Sequence, residues 1–127
     1  MRSLAVRNVD RGVAVGDKVL LADSWWSRFR GLLGRAGLNP GEGLLLAPCR
    51  GVHMFGMRFA LDLAFLDQDG LVVALYHRLE PGGRTSMHRE AWGVLELPAG
   101  VLAETGTGIG DRLEWDGAPV RVKESVQ

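Results

Sequence analysis

The sequence predicts a mainly β fold bordering on α+β. It reads as a compact barrel or sandwich-like domain of about seven or eight short strands, with one short helix near residues 24–35. Three observations predict this. Short apolar runs alternating with period two recur along the chain, which is the side-chain period of a pleated strand. Turn-forming groups such as Asp67-Gln68-Asp69-Gly70 and Pro98-Ala99-Gly100 separate those runs. Glycine, at 18 of 127 residues, is about double its usual share without a collagen period, as many tight turns require.

Taken in order, Leu4, Val6 and Val9 open the chain as strand material before a break at Gly12. Residues 12–22 read as a hairpin turning at Gly16-Asp17. Asp23-Ser24 is a helix-start signal, because either side chain accepts from open first-turn amides. Trp25, Phe29, Leu32 and Leu33 then recur on one helical face, with Arg28 and Arg35 on its flank. Gly31, Gly34 and Gly37 keep that helix short, and Asn39-Pro40-Gly41 ends it. Gly43 to Ala47 is a buried strand closed by Pro48. Residues 59–66 are the clearest strand, with Phe59, Leu61, Leu63 and Phe65 on one face. Leu71 to Tyr76 returns as its partner, and Trp92 to Leu97 is a further strand. Val101 to Thr105 reads as a helical turn, and residues 112–115 and 119–123 as a last hairpin. Helices are too few for β-α-β crossovers.

The length suits one domain over residues 1–127 with a single core. A formal net charge of zero gives no global pull toward nucleic acid or an anionic membrane. Residues 1–58 hold nine Arg and Lys against four acids, and the remainder six against eleven. A single cysteine, Cys49, makes no internal disulfide, and no apolar run reaches the ~18 residues of a membrane span. Without the apolar core of a signal peptide at the N-terminus, a soluble cytoplasmic location is expected.

Several strings together resemble the DUF192 family. They are Ala22-Asp23-Ser24, the run Arg28 to Arg35, and Gly41-Glu42-Gly43-Leu44-Leu45. The centre, His53 to Asp67, and the close, Val94 to Gly100 with Gly106 and Gly110-Asp111, continue the likeness at matching spacing. The resemblance implies a compact, mostly β domain, found in bacteria and archaea, with no established activity and hence no catalytic residues to transfer. Where many members carry Trp-Met-Lys-Asn-Thr this chain has His53-Met54-Phe55-Gly56-Met57, and Ala60 stands where a proline is frequent.

Polar residues in apolar surroundings mark where function would sit. Asp62 shares a strand face with Ala60, Ala64 and Leu66, and Glu96 shares one with Trp92 and Val94. A buried carboxylate needs a partner, and Arg28, Arg35 or Arg58 would supply a bidentate fork. The two arginines of the helix flank alternatively suit an anion, and His53 a proton shuttle. The candidate ligand-binding set is therefore Arg28, Arg35, His53, Arg58, Asp62 and Glu96. Three readings follow: a module for a small anionic or polar ligand, a hydrolase or lyase using His53 with Asp62 or Glu96, and a structural domain whose polar network fixes the fold. Cys49, His53, Met54 and Met57 form a soft set suited to Cu(I), but methionine is more often core filler, so no metal and no cofactor is assigned. Gly106, Gly108 and Gly110 read as turn geometry, because no strand-to-helix phosphate cradle surrounds them.

Overall fold

A computed structural model of the chain describes residues 2–22 and 35–116. Within them run β1 (Arg2–Asn8), β2 (Val13–Ala22), β3 (Glu42–Leu46), β4 (Leu61–Leu66), β5 (Val72–Leu79), β6 (Gly93–Pro98), α1 (Val101–Thr105) and β7 (Leu113–Glu114). The strands form one sheet in the order β5-β4-β6-β3-β2-β1-β7. This is the mainly β fold expected. The helix expected near residues 24–35, Arg28 with it, and the strand at 119–123 lie outside the described residues, apart from Arg35 itself.

The sheet curls until its two edge strands approach. Val72 N donates to Asp111 O at 2.9 Å, Leu113 N to Gly70 O at 2.8 Å and Gly110 N to Val72 O at 2.8 Å, joining the start of β5 to the start of β7. One cluster then gathers residues from all seven strands: Leu4, Val19, Leu45, Ala64, Val72, Leu97 and Leu113 among them, with Leu102 of α1 and Trp115. Only the concave side of a curled sheet brings all its strands to one core, so this is the inner face. A second cluster lies on the outer face, around Leu44, Leu61, Leu63, Phe65 and Val94, where Met54, Val52 and Phe59 of the segment before β4 cover it. All six residues of β4 are buried, as in a strand covered on both faces. Among the described residues no helix is long and apolar enough to cross a membrane.

Two expectations are corrected. Residues 12–22 are not a hairpin, because β2 is one strand paired antiparallel with β1, and the turn lies at residues 9–12. Gly16-Asp17 instead marks a shift in register, with Leu4 opposite Val19 and Val6 opposite Gly16. The glycine answers to a neighbour far along the chain. A Cβ there would lie 3.1 Å from the Gly41 carbonyl oxygen and 2.9 Å from Val19 Cγ2, while that same carbonyl accepts from Lys18 N at 2.9 Å. Secondly, β2 and β3 are parallel, from Lys18 opposite Glu42 to Ala22 opposite Leu46. The connection through residues 23–41 supplies the crossover length that such a pair needs.

Candidate functional site

Asp62 is fully buried and points to the inner face, because the odd-numbered residues of β4 take the outer one. Its carboxylate accepts from Arg78 N at 2.8 Å, Gly100 N at 3.0 Å and Leu102 N at 2.9 Å. The expected guanidinium partner is replaced by backbone amides. The physical reason lies in where the chain turns. Leu61 pairs with Pro98 at the end of β6, so the entry into α1 passes beside Asp62 with its first-turn amides open. Its third donor, Arg78, holds a left-handed φ of 54°, a conformation such a bond helps to keep.

Glu96 points the other way. It pairs with Leu44 on β3 and Leu63 on β4, both in the outer core. Continuing across the sheet, Leu20 lies beside Leu44 and Tyr76 beside Leu63, so Glu96 occupies the centre of an otherwise apolar row ending in a phenol. The residue is 7% exposed, and burial pushes its carboxyl up to about 8. No hydrogen bond or ion pair holds the carboxyl among the described residues. At neutral pH the group therefore keeps its proton and offers a hydrogen bond. Trp92, expected on the same face, precedes the strand and packs on the inner core against Trp115.

Arg35 lies on the same side. Its Nη2 donates to Glu42 Oε1 at 3.0 Å, and by alternation Glu42 shares the face of Leu44. Asn39 N also donates to Glu42 at 2.9 Å, and that amide, with Arg35 beside it, holds the Glu42 carboxyl below its ordinary range. The structure thus brings Arg35 and Glu96 to one face and turns Asp62 to the other. Asp62 and Glu96 cannot act as one acid/base pair across the thickness of a strand. His53 and Arg58 are exposed in the segment before β4, where His53 bridges Arg84. Of the Cu(I) set, Met54 is fully buried while His53 is exposed. Among the described residues no group of three or more His, Cys, Asp or Glu could hold a metal ion.

Two polar clusters escaped sequence reasoning. Tyr76 Oη and His88 Nε2 lie 2.8 Å apart, and the imidazole stacks at a tilt on Phe65 with centroids 4.7 Å apart. At the closing end of the sheet, Asp111 accepts from Arg11 Nε at 2.9 Å, Asn8 Nδ2 at 3.0 Å and Gly108 N at 2.9 Å. Arg11 above all, then Asn8 and the Gly108 amide, hold the Asp111 carboxyl down at about 2. Gly106 and Gly110, at φ 69° and 93°, frame the turn that aims that amide, so the glycine spacing followed by Asp was the available signal. A group depressed in the folded state stabilises above its unfolded pKa and loses that contribution on acidification. Asp111→Asn is accordingly expected to be less stable than the parent above pH 4, with the difference closing between about pH 4 and 2. Urea unfolding across that range checks it.

The family model for DUF192, described as an uncharacterized ACR, matches residues 6–115. The chain belongs to the DUF192 family. A UPF0127 protein of Thermococcus sibiricus is 32% identical over 116 residues, covering 86% of this chain and 73% of that protein. Among solved structures, a protein of unknown function from Novosphingobium aromaticivorans matches with a TM-score of 0.75 at 22% identity, over 89% of this chain and 84% of that one. At that identity the likeness concerns the fold alone. A Sinorhizobium meliloti protein, described as a candidate transcription regulator, matches with a TM-score of 0.71 at 30% identity, over 90% and 92% of the two chains. The DUF192 match spans both faces of the sheet, from Val6 of β1 to Trp115 beyond β7.

Proposed function

We propose that this DUF192 domain binds a small polar or anionic ligand on the outer face of the sheet, with the protonated Glu96 carboxyl donating to it. The observation that supports this reading is a buried acid with no partner among the described residues, set in an apolar row. A leucine would continue the row without the cost of desolvating a carboxyl, so the acid at this position asks for a further reason. Arg35 lies on the same face with one nitrogen engaged by Glu42, leaving donors for a ligand oxyanion. An acid/base enzyme built on His53 gains less support. The Asp62 oxygens are taken by backbone amides, and His53 lies in an exposed segment.

A thermal-shift screen of small carboxylates, phosphates and amides near pH 6.5 tests the proposal. A ligand at about 100 times its Kd adds roughly 2.7 kcal/mol to the native state. Compounds that stabilise the parent are expected to lose most of that effect in Glu96→Leu and keep part of it in Glu96→Gln, which still donates. A stabilising compound indifferent to Glu96→Leu would count against the assignment.

A further inference from the structure

A concavity lies at the end of the sheet where β3 and β4 finish and β6 begins. It is an open groove of about 570 Å³, comparable in size to small-molecule sites. Its walls include Arg50, Gln68, Met87, Arg89, Glu90 and Trp92. Arg50 and Arg89 both line this groove, and neither makes an ion pair or side-chain hydrogen bond among the described residues. Glu90 also lines the cavity but pairs with neither at salt-bridge distance, so two positive charges face one negative charge.

The walls are fixed by backbone bonds rather than left as loose loop. His88 N donates to Arg50 O at 2.8 Å, Cys49 N to Trp92 O at 3.0 Å, Ala91 N to His88 O at 3.0 Å and Trp92 N to Leu66 O at 2.7 Å. The Trp92 ring is held by stacking on Trp115, with centroids 6.1 Å apart and planes 15° from parallel. The Met87 side chain, 72% exposed, lies over Gly51. A Cβ there would come within 2.5 Å of the Met87 sulfur. The result is a groove on a fixed backbone whose lining combines a tryptophan and a methionine, suited to an apolar body, with two arginines, suited to an oxyanion.

We infer that this groove is a binding site for a small organic anion with an aromatic body, such as an aryl phosphate or aryl carboxylate, held between Arg50 and Arg89. The site is independent of the ligand proposed for the outer face.

Calorimetric titration of the full chain with phenyl phosphate, benzoate, inorganic phosphate and benzyl alcohol tests it at low salt. Phenyl phosphate or benzoate is expected to bind about tenfold more tightly than either inorganic phosphate or benzyl alcohol, since both the charge and the ring contribute. Arg50→Ala and Arg89→Ala should each weaken that binding about tenfold, the scale of one charge-assisted hydrogen bond. Both side chains are exposed and unpaired among the described residues, so the melting temperature should stay at the parent value. Glu96→Gln should bind phenyl phosphate like the parent. No saturable binding up to roughly 10 mM would overturn the assignment. So would unchanged affinity in the double arginine variant, preference for benzyl alcohol, or binding lost in Glu96→Gln alone.

Discussion

Glu96→Gln is expected to be more stable than the parent at pH 8 and to lose most of that advantage by pH 5. The sign follows from burial. Desolvation raises the Glu96 carboxyl from its ordinary value of 4.5 to about 8, so the folded chain binds a proton that the unfolded chain releases between those values. Stability therefore falls as pH rises through that window, and is fully present only below the unfolded pKa. At 1.36 kcal/mol per pH unit, the loss across the window is on the order of 4 kcal/mol. That is a large part of the 5–15 kcal/mol typical of a domain. The glutamine amide has nothing to release and leaves this contribution flat. Urea unfolding of both proteins at pH 5, 6.5 and 8 reads the effect as a difference, in which the other titrating groups cancel. Parallel curves would mean that the carboxyl is not held in its neutral form.

Asp62→Ala is expected to lower stability by about 3–6 kcal/mol at pH 7, because it strands the amides of Arg78, Gly100 and Leu102 in a buried setting. Each unsatisfied buried donor costs about 1–3 kcal/mol, and water admitted to the gap offsets part of it. Asp62→Asn keeps the volume and one accepting oxygen but turns its own N–H groups toward backbone donors. It should lose about 2–4 kcal/mol. Proton exchange adds a local readout, since the Leu102 amide should lose protection first as α1 loosens. A loss below about 1 kcal/mol in both variants would show that the amides find other acceptors.

The contrast between these two carboxylates shows how far the sequence carries. The alternation Leu61, Leu63, Phe65 marked β4 as a strand, Asp67 to Gly70 marked its turn, and Val101 to Thr105 marked α1. These signals are local, and the structure agrees with each. What β4 could not reveal is where Asp62 finds its partners. With both faces buried there is no solvent side to orient the reading, and the donors arrive from β5 and the entry to α1. Gly16 misled for a related reason. As a glycine beside an aspartate it carries turn chemistry, yet its role is to admit the Gly41 carbonyl of another segment. The groove at Arg50 and Arg89 was illegible because it is assembled from three chain segments whose residues are unremarkable when read singly.

The most direct measurement is a carbon-13 NMR titration of the Glu96 side-chain carboxyl in the free protein, assigned by its loss in Glu96→Gln. A midpoint near 8 is the expected result and would establish a proton-bearing donor in the centre of the outer face. A midpoint in the ordinary carboxylate range, near 4.5, would contradict it and remove the reason for placing a ligand there.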